Sequence, residues 1–252
     1  MKGLTDKVAI VTGAANGIGL AIAQRLYDEG ARLMLADWDQ EPLLNALEHF
    51  DKSRVVAQKV DVSDAQQVAS LVQNCVAHFG QLDILVNNAG LHIPGTVLEC
   101  SVEDWRKISS VNIDGVVYCA KFALPELLKT RGCIINTASV SGLGGDWGAA
   151  FYCATKGAVV NLTRAMALDH GLEGVRINAV CPSLVKTNMT NGWPQAVRDK
   201  FNERIPLGRA AEPKEIAAVV TFLASDDASF INGVNLPVDG GATASDGQPK
   251  IV

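Results

Sequence analysis

Val8-Ala9-Ile10-Val11-Thr12-Gly13-Ala14-Ala15-Asn16-Gly17-Ile18-Gly19 combines a strand, a glycine turn and the start of a helix in twelve residues. Val8–Thr12 is an unbroken apolar, β-branched run, as expected of a strand covered on both faces. The glycines follow a G-x3-G-x-G spacing rather than G-x-G-x-x-G. They serve the same physical purpose, permitting a tight turn and close backbone approach. The helix amino terminus then offers N–H groups and a positive dipole end to a pyrophosphate. A glycine-rich turn without a ligand would read alike, so the motif needs support from the rest of the chain.

That support begins with the pattern downstream. Further strands are expected at Arg32–Asp37, Arg54–Lys59, Ile84–Asn87, Cys133–Thr137, Arg176–Cys181 and Val234–Val238. Helical stretches lie between them at Gly17–Glu29, Glu41–Phe50, Asp64–Phe79, Val102–Thr130, Ala149–Asp169 and Pro213–Ala224. Apolar strands alternating with helices imply an α/β fold, a single-domain, Rossmann-like, doubly wound parallel sheet of about seven strands over residues 1–252. The least regular long segment, Pro182–Arg209, is expected to be a substrate loop or lid at a strand end. Residues 242–252 form a small, polar tail that finishes on Ile251-Val252.

Composition excludes several classes of partner. The chain has 252 residues, 48% hydrophobic content and a formal charge of −5 without a basic cluster. Nucleic acid and anionic membrane surfaces are therefore poor partners. No stretch approaches the length of a membrane span or a secretory core, so the expected address is the cytoplasm. The six cysteines and four histidines are scattered, which leaves no expected metal site or disulfide framework.

Asp37 closes the second strand, eighteen residues beyond Gly19, where a carboxylate would accept from the adenosine ribose hydroxyls. A surface aspartate at a strand end is the alternative. Against a 2′-phosphate of nearly two charges at about 4 Å, repulsion approaches ~8 kcal/mol at an effective dielectric of about 20. A quarter of that costs about thirtyfold in affinity. With Asn16 in the loop and no cation after Asp37, NAD is favoured over NADP. Asp61-Val62 could reach the adenine, and Asn88-Ala89-Gly90 ends the fourth strand at a depth suited to backbone contacts with the same ligand.

The chemical constellation is Tyr152-x3-Lys156 with Ser139 thirteen residues upstream. A spacing of four places a phenol and an ammonium on one helix face. An ammonium about 4 Å from the phenol would lower a tyrosine pKa near ~10 by roughly three units, enough to make it a base. Ser139 would orient the substrate oxygen, with Ser141 a competitor in the same loop.

Together these residues resemble the short-chain dehydrogenase/reductase family. The resemblance runs from Lys7 to about Gly241 and rests on several matched stretches. These are Thr12-Gly13-x3-Gly17-x-Gly19, Asn87-Asn88-Ala89-Gly90, Asn112, Ser139, Tyr152-x3-Lys156, Pro182-x4-Thr187 and Val238-Asp239-Gly240-Gly241. Ser183 departs from the family's usual glycine. The resemblance implies NAD-dependent transfer of hydride between a small secondary alcohol and a ketone, with Asn112, Ser139, Tyr152 and Lys156 catalytic. It implies that Asn112 holds a water linking Lys156 to solvent, and that Lys156 also donates to the nicotinamide ribose. Gly13, Asn16, Gly17, Ile18, Gly19, Asp37, Asp61, Val62, Asn88, Ala89, Gly90, Tyr152, Lys156, Pro182, Val185 and Thr187 would bind the cofactor, with Thr187 hydrogen-bonding the carboxamide of the nicotinamide.

Gly132–Pro182 and the tail resemble the acetoin reductase (meso-2,3-butanediol dehydrogenase) branch, which implies acetoin, 2,3-butanediol and diacetyl as substrates. The expected pocket walls are His92, Ser139, Ser141, Trp147, Ser183 and Trp193. His92 reads equally well as a packed loop residue, and the two tryptophans as packing or lid residues. The family commonly forms homotetramers, in which the tail would bring Gln248 near a neighbouring pocket. Two rivals share the fold: a 3-oxoacyl-carrier-protein reductase, which Asp37 and the charge of −5 disfavour, and a non-catalytic NAD-binding protein, which has no need of Asn112, Ser139, Tyr152 and Lys156 together.

Overall fold

A computed structural model describes residues 1–245 and Gly247; the expected placement of Gln248 and of the Ile251-Val252 end lies outside the described residues. Seven parallel strands form one sheet: β1 (Val8–Thr12), β2 (Arg32–Asp37), β3 (Val55–Lys59), β4 (Ile84–Asn87), β5 (Cys133–Thr137), β6 (Arg176–Pro182) and β7 (Asn235–Val238). Their order is β3-β2-β1-β4-β5-β6-β7. The chain moves outward from β1 to β3 and then crosses back to β4 on the other side of β1. A crevice opens at that switch point, above the carboxyl ends of the strands.

Alternation along the central strands divides the core. Ala9 and Val11 of β1, with Leu33 and Leu35 of β2, pack against α1 (Gly17–Asp28) and α10 (Pro213–Ala224) through Ile22, Leu26, Ile216 and Val220. Val8 and Ile10, with Met34 and Leu85, face the opposite way. They pack on α3 (Ala65–Phe79) and α5 (Gly115–Thr130) through Val68, Leu71, Cys119 and Ala123. Covering both faces is what permits unbroken apolar strands. Helix α3 starts on Asp64, whose carboxylate accepts from the N–H groups of Gln66 and Gln67, and it stops at Gly80 in the left-handed region (φ 84°).

The single helix expected over Val102–Thr130 is interrupted. Helix α4 spans Val102–Ser109, a π-helical turn covers Ser110–Asp114, and α5 follows. The segment expected to be irregular carries α8 (Asn188–Asn191) and α9 (Gln195–Arg204). The remaining α-helices among the described residues are α2 (Gln40–Leu47), α6 (Val140–Leu143) and the long α7 (Ala150–His170). Among the described residues no helix is long and apolar enough to cross a membrane.

Candidate active site

A cleft of about 690 Å³ runs along the carboxyl ends of the strands from Trp38 and Asp61 to Tyr152 and Met189. Its floor is fixed by side chains that bind backbone. Thr12, buried at the end of β1, accepts through Oγ1 from the N–H groups of Asn88 (3.0 Å) and Ala89 (3.1 Å). The Asn88 amide returns Nδ2–H bonds to the carbonyls of Thr12 (3.0 Å) and Gly13 (3.2 Å). The ends of β1 and β4 are thereby stitched together at the switch point.

The glycine turn fits a dinucleotide pyrophosphate. Gly13 and Gly17 have φ of +64° and +57°, which side chains rarely tolerate. A Cβ on Gly19 would lie 2.0 Å from the Gly13 carbonyl oxygen, so helix α1 can start this close to β1 only with glycine there. Asn16 precedes α1 without a side-chain cap, which leaves the first-turn N–H groups for a ligand. Asp37 is held rigidly at the other side of the turn. Its Oδ2 accepts from the Ala15 N–H at 3.0 Å and its Oδ1 from the Asp39 N–H at 3.1 Å. Asp61 accepts from the N–H and hydroxyl of Ser63 (2.9 and 2.7 Å), and Val62 lines the cleft beside it.

At the far end, α7 presents Tyr152 and Lys156. Lys156 is buried on the cleft floor, and its ammonium donates to the Thr137 carbonyl at 2.7 Å. Nζ lies 5.8 Å from the Tyr152 ring centre. Burial pulls the Lys156 pKa down to about 8. Burial also pushes the Tyr152 hydroxyl above its ordinary value. The neighbouring Ser139 hydroxyl opposes that rise, and Cys153 and Asp146 reinforce it. The phenol thus keeps its proton at neutral pH. The net shift is opposite in direction to the lowering expected from Lys156, because burial outweighs the other influences.

Ser139 caps α6, and its Oγ accepts from the Ser141 N–H at 3.1 Å. His92 meets Tyr152 edge to face, with ring centres 4.8 Å apart. Burial lowers the His92 pKa, with Asp146 pulling the other way. Asn112 sits within the π-helical turn and is buried. Its Oδ1 accepts from the Leu91 N–H (2.9 Å), while its Nδ2 donates to the Leu91 carbonyl (2.9 Å) and to Thr155 Oγ1 (3.1 Å). The side chain thus clamps the strand-end loop that carries His92 to the helix that carries Tyr152.

Most of the sequence-derived site residues share this one cleft, with five outside its lining. Gly19 and Asn112 support the floor from behind. Ser141 is buried, with its hydroxyl on Asp146 Oδ2 at 3.3 Å. Trp147 is 96% exposed on the loop before α7. Trp193 packs on Phe201, ring centres 5.2 Å apart, beside Leu184, Ile205 and Ala210. Ser141, Trp147 and Trp193, expected as pocket walls, thus lie outside the lining of the cleft in the single chain. Ser183, Val185 and Thr187 do line the cleft, as do Pro182 and Met189. Trp38, Lys107, Val111 and Thr137 line it too and were not expected. The aromatic at position 38, one residue past Asp37, was the available clue to the first.

The family model described as enoyl-(acyl carrier protein) reductase matches residues 13–243. Meso-2,3-butanediol dehydrogenase of Serratia marcescens is 67% identical over 247 residues, covering 98% of this chain and 98% of that protein. The 3-oxoacyl-[acyl-carrier-protein] reductase of Thermotoga maritima is 35% identical, over 94% of this chain and 98% of that one. The solved structure of a short-chain dehydrogenase/reductase, glucose/ribitol dehydrogenase, from Brucella melitensis aligns with a TM-score of 0.92 at 36% identity. That alignment covers 96% of this chain and 99% of that structure. Fold, glycine turn, Tyr-x3-Lys helix and these likenesses agree: the chain is an enzyme of the short-chain dehydrogenase/reductase family of oxidoreductases.

Proposed function

We propose that the protein interconverts acetoin and 2,3-butanediol, and reduces diacetyl, with NAD(H). The observation that carries this reading is the convergence of Tyr152, Ser139 and His92 at one end of a cleft whose other end holds Asp37. The 67% identity to the Serratia enzyme supports the choice of substrate.

The nicotinamide would supply the hydride in reduction and accept it in oxidation. Tyr152 gives its phenol proton to the carbonyl oxygen, and its raised pKa keeps that proton available at neutral pH. Ser139 donates to the same oxygen and so stabilises the charge that develops there. His92, kept neutral by its lowered pKa, has one ring N–H to offer the neighbouring oxygen of a vicinal hydroxyketone. Lys156, Thr187 and the backbone around Gly90 would hold the nicotinamide half, and Asp37 would take the adenosine ribose and repel a 2′-phosphate.

The same reading makes the protein a cytoplasmic homotetramer. Leu168, in the last turn of α7, and Leu172, in the turn just beyond it, are largely or fully exposed in the single chain, as an apolar face awaiting another copy would be.

Loss of NADH absorbance on adding acetoin or diacetyl, repeated with NADPH, tests the reading. We expect turnover with both ketones and a preference for NADH of at least about thirtyfold. Preference for an acyl thioester would replace it with the carrier-protein reductase reading.

A further inference from the structure

Lys156 has an unusual setting for a cation. It lies on the floor of a cleft open to small molecules, no carboxylate pairs with it among the described residues, and its hydrogen-bond partner is the neutral Thr137 carbonyl. Space around Nζ is bounded by Gly90, where a Cβ would come within 3.4 Å of it. The groups around it are largely unable to hold a negative charge at neutral pH. On β6, Cys181 is a buried thiol whose pKa is pushed up to about 11. On α7, Tyr152 is a phenol raised above its ordinary value. From the π-helical turn comes Asn112, and from beyond the ends of β4 and β5 come Gly90, Ser139 and backbone.

An amine desolvated without a counter-ion loses its proton readily and becomes a nucleophile. The burial that pulls Lys156 to about 8 gives it a neutral fraction of roughly one in four at pH 7.5, against roughly one in a thousand for an ordinary lysine.

We propose that, in the cofactor-free enzyme, Lys156 is a carbonyl-capture site that forms an imine with vicinal dicarbonyls and small aldehydes entering the cleft. The Nζ lone pair forms the C–N bond while the carbonyl oxygen takes the Tyr152 proton. The carbinolamine then loses that oxygen as water. Both hydrogens of the neutral amine leave with it, one by way of the phenol, which recovers its proton. Nothing is oxidised or reduced. The inference rests on the reading that ketone substrates enter this cleft, and it adds a consequence: bound NAD(H) would shield the enzyme from its own class of substrate.

The test is incubation of cofactor-free enzyme with diacetyl at pH 7.5, trapping with cyanoborohydride, and peptide mapping by mass spectrometry. Lys107 lines the same cleft but is exposed, and it serves as the internal comparison. We expect a trapped adduct at Lys156 at least about tenfold faster than at Lys107, with labelling that rises as pH passes through about 8 and is suppressed by NADH. Equal or slower labelling of Lys156 overturns the proposal. Adduct at Lys156 that NADH fails to suppress leaves the capture site standing and instead overturns the assignment of Lys156 to the cofactor. Lys156→Gln, checked for folding by circular dichroism, must abolish the mapped adduct. An unchanged level of modified peptide in that variant also overturns it.

Discussion

The Lys156 ammonium is bound to the Thr137 carbonyl at 2.7 Å, and Thr137 is the last residue of β5. The cation therefore belongs first to the end of a strand, and Tyr152 is only its neighbour. Its position is set by the sheet rather than by the phenol.

A stability signature follows from that burial. Lys156 titrates at about 8 in the folded chain against an ordinary 10.5. Below pH 8 both folded and unfolded chains carry the proton, and the folded chain bears a desolvation cost of about 3 kcal/mol. Between 8 and 10.5 only the unfolded chain keeps the proton, so this contribution to stability rises with pH. Lys156→Met in cofactor-free enzyme should accordingly gain more over wild type at pH 7 than at pH 10. Urea melts of both proteins at the two pH values measure the difference, and an identical gain at both would contradict it.

Under the proposed mechanism, Tyr152→Phe removes the proton donor and leaves the floor of the cleft intact. Turnover of acetoin should fall by about 10²–10⁴-fold, while NADH binding, followed by fluorescence, stays within about twofold. Near-normal turnover would exclude Tyr152 as the acid.

For Asp37→Asn the expected change is in cofactor choice. The amide still offers an oxygen to the Ala15 N–H but no longer repels a phosphate. Efficiency with NADPH should rise by about tenfold or more, at some loss with NADH. Steady-state kinetics with both cofactors decide it.

Asn112→Ala deletes three hydrogen bonds at a buried position. It leaves the Leu91 N–H and carbonyl without their partner, a cost of about 2–4 kcal/mol. A lowered midpoint in denaturant together with weaker turnover is expected. Intact stability with lost turnover would point instead to a purely catalytic role.

Much of this was legible in the sequence because it depends on period and composition. The strand cores of β1, β2, β4 and β5 are apolar runs between polar ends, and Gly13, Gly17 and Gly19 are needed for backbone reasons that spacing reveals. Side-chain direction in loops is different. Ser141 and Trp147 lie near Tyr152 in sequence, yet one turns inward to Asp146 and the other out to solvent. Nothing local in the chain distinguishes those outcomes. Helices α8 and α9 were hidden because α9 buries none of its residues, so it carries no apolar stripe. The Thr187–Thr190 contact (3.1 Å) and Pro194 ahead of Gln195 were their only punctuation.

The π-helical turn at Ser110–Asp114 escaped for a related reason: an extra residue in a turn leaves the apolar spacing on either side nearly unchanged. Its effect is that of a frameshift within a single rod. Residues before it are phased so that Lys107 faces the cleft, and residues after it so that Cys119, Ala120 and Ala123 face the sheet. One continuous helix could not keep both alignments. Removing a single residue there would put the two halves back in step and misdirect one of them.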